Sequence, residues 1–179
     1  MKGIIFTEFL ELVEAKFGIE VLENMLEMSD DTGVYTAVGS YDHKDLVNLI
    51  VSLSKLTKVA VEDLQQVFGR AVFMNLYKSL RNSAPIVDCK TTFQFLRQVE
   101  NYIHIEVKKL YPDANPPKFN FLSESESTLE FDYHSARCMS HVCLGLVQGC
   151  ADKLDETLDI KMTNQVDDGS HVRFNLSVV

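Results

Sequence analysis

One histidine and one short polar run carry the side chains best suited to chemistry. His104 lies among Ile103, Ile105 and Val107, beside an apolar stripe. A buried imidazole needs partners at its ring nitrogens, and a metal ion is one such partner. The second feature is Tyr133-His134-Ser135-Ala136-Arg137. Read as part of a strand, residues two apart share a face. Leu129, Phe131, Tyr133, Ser135 and Arg137 then line one face, and Glu130, Asp132, His134 and Ala136 the other. The first face runs from apolar rings to a phenol, a hydroxyl and a guanidinium, all hydrogen-bond donors. Arginine holds a carboxylate through two parallel hydrogen bonds. The face therefore suits a flat apolar ligand with a carboxylate edge. Each feature also has a plainer reading. His104 can be a core histidine satisfied by protein partners, and Tyr133, Ser135 and Arg137 can be the solvated end of a strand leaving the core.

The elements that position these residues follow from periodicity. Ile5, Phe6, Phe9, Leu10, Val13 and Phe17 recur at helical spacing before Gly18,. A short helix is predicted over 19–28, stopped by Ser29-Asp30-Asp31-Thr32-Gly33,. Asp42 caps a helix carrying Leu46, Leu49, Ile50, Leu53 and Leu56,. Another spans 61–80 with Gly69 inside it, where glycine costs about 1 kcal/mol relative to alanine. That cost points to close approach of a flat ligand or another backbone. Thr91 or Thr92 opens one helix through His104 that ends before Pro112,. Strands are predicted over 118–122 and 128–137, then a helix over 139–154. A second hairpin, 157–163 with 171–178, turns at Asp167-Asp168-Gly169-Ser170,. The fold class is α+β: two mostly helical thirds, then a four-stranded antiparallel sheet with one inserted helix.

The chain of 179 residues fits one domain,. Its net charge of −9 argues against nucleic acid and against anionic membrane surfaces, both of which need a basic footprint,. Cys89, Cys138, Cys143 and Cys150 form no CxxC pair, so reduced thiols in a cytoplasm are expected,. Glu8, Glu11 and Glu14 interrupt the apolar start too soon for a signal peptide, and no apolar run reaches membrane-spanning length,. No catalytic output domain is expected, so a signal would pass to another protein.

Taken together, these features resemble the haem-nitric oxide/oxygen binding (H-NOX) family, related to the haem domain of soluble guanylate cyclase. The resemblance rests on Met1-Lys2-Gly3-Ile4-Ile5, Phe68-Gly69-Arg70, His104 leading through Leu110-Tyr111-Pro112 to Pro116-Pro117, the complete Tyr133-x-Ser135-x-Arg137 motif, and Leu144-Gly145-Leu146. It spans nearly the whole chain. It implies haem b (iron protoporphyrin IX) buried between the helical part and the sheet, with residues 1–60 a distal helical subdomain and 61–179 a proximal one. His104 would be the axial iron ligand, leaving the sixth position open for a gas. Tyr133, Ser135 and Arg137 would bind the propionates. Pro117, Ile5 and Leu146 would pack against the porphyrin.

The distal pocket then selects the gas. Bound O₂ carries partial negative charge and needs a hydrogen-bond donor, whereas NO binds ferrous haem without one. O₂-binding relatives supply a distal Tyr, a position that falls here on Val142. Its supporting positions fall on Phe9 and Val72, and Phe73 and Leu76 extend the apolar wall. None of these side chains donates. The resemblance thus implies an NO sensor that also binds CO and forms no stable O₂ complex. His141, beside Val142, could donate if the helix register turned it inward. NO opposite His104 would break the iron–histidine bond and let haem and helix relax. That change would regulate a separate histidine kinase or cyclic-dinucleotide enzyme in trans.

Several other residues are set aside. Cys138 matches one ligand of a zinc site found in some bacterial relatives, but Lys161-Met162-Thr163-Asn164 lacks the others, so core or boundary thiols are expected,. His134 is expected to face solvent, His43 to start a helix and His171 to sit near a turn. Asp167-Asp168-Gly169 reads as a hairpin turn rather than a calcium loop. Two competing functions are a haem-free interaction domain binding a carboxylate or partner loop, and a haem enzyme such as a peroxidase. The latter lacks a distal acid–base group.

Overall fold

The computed structural model describes residues 1–80 and 84–179. Four helices come first: α1 (Gly3–Phe17), α2 (Ile19–Ser29), α3 (His43–Thr57) and α4 (Val61–Leu80). Asp42 caps α3 by accepting from the Lys44 amide at 3.0 Å, and His43 is its first residue. Phe6, Phe9 and Val13 of α1 are buried with Leu46, Leu49, Ile50 and Leu53 of α3 and Leu64, Phe68 and Val72 of α4. Phe17, read from sequence as part of this stripe, is 37% exposed because α1 ends there. The first turn of α1 is tied down by backbone bonds, Gly3 N–H to Gly39 O at 2.9 Å and Ile4 N–H to Ala37 O at 3.0 Å. Ile5 is thereby held on the edge of the first core.

After a single turn, α5 (Ala84–Val87), the chain forms α6 (Thr92–Gln98), capped by the Thr91 hydroxyl. The single helix expected here is interrupted. Val99–Ile103 is a π-helical turn, and α7 (His104–Leu110) resumes after it. The His104 amide bonds to the Val99 carbonyl. Such a turn inserts one residue into the ladder, and apolar periodicity tolerates the insertion without showing it.

The sheet comprises β1 (Lys118–Glu124), β2 (Thr128–His134), β3 (Leu158–Asn164) and β4 (His171–Val178), with helix α8 (Ser140–Leu154) between β2 and β3. All neighbours are antiparallel and the order is β1-β2-β4-β3, so the last strand lies between the second and third. The inner face presents Leu129, Phe131, Tyr133, Val172, Phe174 and Leu176 to Phe93 and Leu96 of α6 and Cys143 and Val147 of α8. Phe131 stacks on Phe174 at 5.0 Å.

Helices α4 and α8 form the most extensive helix pair. Their contact answers the question raised by Gly69. A Cβ there would lie 2.2 Å from the Val142 carbonyl oxygen, and one on Gly145 would lie 2.0 Å from the Gln66 carbonyl oxygen. The close partner is another backbone, on both sides of the same crossing. Among the described residues, no helix is long and apolar enough to cross a membrane.

Candidate haem site

His104 opens α7 at the end of the π turn, with its side chain 14% exposed. Its Nδ1 lies 3.0 Å from Oε2 of Glu100. A carboxylate accepts, so Nδ1 carries the hydrogen and Nε2 keeps its lone pair. Burial lowers the imidazole pKa, and Glu100 acts in the opposite direction. The ring meets Phe119 of β1 edge-on, with centroids 5.6 Å apart. The same Glu100 oxygen accepts the Phe119 backbone N–H at 3.1 Å. A neutral imidazole with one nitrogen anchored and the other free is the form that ligates a metal.

Tyr133 is buried on the inner sheet face, at 4% exposure. Burial raises its phenol pKa, keeping it a donor. The expected strand through Arg137 stops at His134. Ser135 extends the pairing by one bond, N–H to Ser170 O at 2.8 Å, and the chain then turns. The Ser135 hydroxyl accepts the Arg137 backbone N–H at 3.2 Å, and Cys138 takes a left-handed conformation with φ 52°. Arg137 is therefore aimed by a hydroxyl-stabilised turn, not by strand alternation. Hydroxyls that bond nearby backbone compete with the ladder in this way.

Arg137 is half-buried, and desolvation lowers its pKa. Arg70, Arg97 and Arg173 each hold a carboxylate, while Arg137 has no carboxylate partner among the described residues. A partly desolvated guanidinium without an anion is costly, so its surroundings suit an incoming one. A cleft of about 170 Å³ lies beside it, lined by Asn115, Pro116, Lys118, His134, Ser135, Ala136 and Arg137. Pro117 is half-buried next to that rim.

The predicted distal residues divide between clusters. Phe9 and Val72 belong to the first core, with Ile5, Leu76, Val142 and Leu146 partly buried at its edge. Phe73 belongs to a third cluster with Ile86, Phe95 and Cys150, its ring 5.5 Å from Phe95. Leu146 packs against both clusters. His141 is half-buried and in neither of them.

Three features were not read from the sequence. Glu100 is one, although its i, i+4 relation to His104 was a usable signal. Lys118 is another, placed opposite His134 by the β1–β2 register. The third is on the outer sheet face. His134 stacks on His171 at 4.0 Å instead of standing alone in solvent. His171 Nε2 is 3.1 Å from Asp132 Oδ2, and ligand atoms of Asp132, His134 and His171 lie within 4.8 Å of one another. Arg173 already donates to both Asp132 oxygens, at 2.8 and 3.0 Å, so the Asp132 carboxylate is committed to an ion pair. The buried Cys143 and Cys150 thiols are pushed up to about 12 by burial, which makes them inert core groups,.

An α+β domain that offers an anchored imidazole at His104 and, separately, a cleft lined by the Arg137 guanidinium has side chains suited to a prosthetic group with an anionic edge. Comparison with known proteins gives the group. Residues 2–162 match the family model for haem-NO-binding domains. The chain is 34% identical to the H-NOX protein of K. algicida, solved in the Fe(II) unliganded state. That match covers 100% of this chain and 97% of that one, at a TM-score of 0.89. It is 36% identical to the H-NOX of Shewanella woodyi, solved in the Fe(II)CO state, covering 100% and 95% at a TM-score of 0.82. The H-NOX protein of S. oneidensis in the Fe(II)NO state shares the fold at 24% identity and a TM-score of 0.88, covering 100% and 99%. The chain belongs to the haem-NO-binding (H-NOX) family, whose domains bind haem and sense gases.

Proposed function

We propose that the protein is an NO-selective sensor that also takes CO, forms no stable O₂ complex, and regulates a separate enzyme in trans. His104 is the axial iron ligand, through its free Nε2. Tyr133, Ser135 and Arg137 receive the propionates, with Lys118 adding positive charge at the cleft. Pro117, Ile5 and Leu146 pack against the porphyrin. Bound haem would supply an iron able to take a diatomic gas, with His104 as the protein residue that holds it. The observation that carries the reading is the donor set itself: a half-buried imidazole whose Nδ1 is held by Glu100, together with a half-buried arginine that has no carboxylate partner among the described residues.

The selectivity rests on Phe9, Val72, Leu76 and Val142, none of which donates a hydrogen bond, with Phe73 behind Leu146,. With haem bound, a weaker hold of His104 on the iron would let α7 adjust its position. A ligand that biases two such arrangements is what signalling requires. Residues 1–60 form the distal part and 61–179 the proximal part in this scheme. The partner is a histidine kinase or a cyclic-dinucleotide enzyme in the cytoplasm, and the domain itself catalyses nothing.

The test is spectroscopic. The purified protein should show a strong Soret band, which His104→Gly loses and added imidazole restores. The ferrous form should give no stable oxy spectrum in air-saturated buffer but convert with NO and with CO. A persistent oxy spectrum in air would refute NO selectivity, and a colourless protein after haem supplementation would refute the whole reading.

A further inference from the structure

Glu100 makes two contacts through one oxygen. Oε2 accepts Nδ1–H of His104 at 3.0 Å and the backbone N–H of Phe119 at 3.1 Å. The acceptor sits in the π turn, the imidazole on α7 and the amide on β1. The Phe119 ring also meets the imidazole edge-on. Three elements therefore converge on one side of the His104 ring, and the carboxylate is the group they share. An ordinary α-helix over 92–110 would have offered the same sequence separation. The π turn places the residue pair where it also reaches the sheet backbone,.

We infer that Glu100 is the positioning residue that sets the strength of the iron–histidine bond, and thus how completely NO releases His104. The inference rests on His104 being the iron ligand. Its physical basis is direct. A carboxylate accepting from Nδ1–H fixes the tautomer, orients the ring and makes Nε2 a more basic donor. A more basic Nε2 competes better with NO bound opposite. The carboxylate also gives the released imidazole a retained partner, since its bond to Glu100 does not depend on iron. His104 then stays near its bound position, which favours recombination and makes the switch reversible. Because Glu100 is tied to the Phe119 amide, movement of α7 is felt at β1.

Loss of such an outer partner costs about 10- to 100-fold in metal affinity elsewhere. Glu100→Gln and Glu100→Ala are therefore expected to raise the ratio of five- to six-coordinate NO haem by about 10- to 100-fold. Two readouts on the haem-loaded protein test this. Resonance Raman of the unliganded ferrous form reports the iron–histidine stretching frequency, and electron paramagnetic resonance of the NO form reports whether a nitrogen remains opposite NO. The expected result is a lower stretching frequency in Glu100→Gln, a larger drop in Glu100→Ala, and loss of the opposite-nitrogen coupling. The Gln amide oxygen still accepts both hydrogen bonds, so a merely bracing role would leave Glu100→Gln at the wild-type frequency. That result would overturn the inference. If Gln is not tolerated, Glu100→Asp keeps the charge but shortens the arm, and it too must lower the frequency or the inference fails. A wild-type protein that holds haem without any iron–histidine band overturns the His104 assignment instead, so the two failures are distinguishable.

Discussion

Gly69→Ala tests the α4–α8 crossing that holds the proposed distal pocket. The new Cβ would sit 2.2 Å from the Val142 carbonyl oxygen, whereas ordinary contact begins at 3.4 Å, so the helices must part by about 1.2 Å. The oxygen belongs to helix backbone and cannot rotate away. Overpacking costs about 1–3 kcal/mol, and a rigid backbone partner places this site at or above the upper end. Alanine returns about 1 kcal/mol of helix propensity. The net expectation is a destabilisation of about 2 kcal/mol. For a chain of this size that lowers the melting temperature by about 4–8 °C. Gly145→Ala, facing the Gln66 carbonyl oxygen at 2.0 Å, should behave alike. The double variant should lose less than the sum, because one separation of the helices accommodates both methyl groups. Thermal denaturation followed by circular dichroism at equal haem occupancy measures all three, since bound ligand raises apparent stability. An unchanged or raised melting temperature for Gly69→Ala would refute the reasoning, and so would strict additivity. Parting these helices also moves Val142 away from Val72, so gas dissociation rates are expected to change in the same variants.

Two further outcomes are expected. Val142→Tyr places a phenol donor in the apolar wall, and the ferrous protein should then change its visible spectrum reversibly with O₂. No response to O₂ would place position 142 outside the pocket. Asp132→Asn removes the anion that Arg173 grips, at a cost of about 1–2 kcal/mol for hydrogen bonds to charged groups, discounted because Arg173 is one-third exposed,. Arg173 and His171 lower the Asp132 pKa from the ordinary carboxylate value. Its contribution is therefore full above about pH 4, the unfolded carboxylate range, and fades as pH falls through the lower folded value. Urea midpoints of wild type and Asp132→Asn should differ at neutral pH and converge in acid. A constant difference across that range would contradict the pairing.

The candidate site residues could be picked out because they lie close in sequence. Tyr133, Ser135 and Arg137 fall within five positions, and the helical periods around Phe9, Leu49 and Val72 report one buried face each. The break at Val99–Ile103 was invisible, since one inserted residue barely disturbs an apolar stripe already several residues wide,. The strand limit at His134 was misread for a related reason. Period-two alternation continues through Arg137, but the Ser135 hydroxyl diverts the backbone into a turn. The pairing of β2 with β4 likewise depends on a return across the whole of α8 and β3, which no local pattern encodes.

By itself, then, the sequence determined most of the helical and strand segments and the α+β class, and offered one imidazole and one guanidinium as candidates for a ligand. Those properties follow from side-chain type and local spacing. Tertiary structure decided what each group is free to do. It set the His104 tautomer through Glu100, left Arg137 without a carboxylate partner among the described residues, and stacked His134 on His171 beside Asp132. It also resolved the ambiguity at Gly69 in favour of a backbone neighbour. Protonation, pairing and close approach all depend on groups distant in sequence, and only the folded chain brings those groups within hydrogen-bonding range.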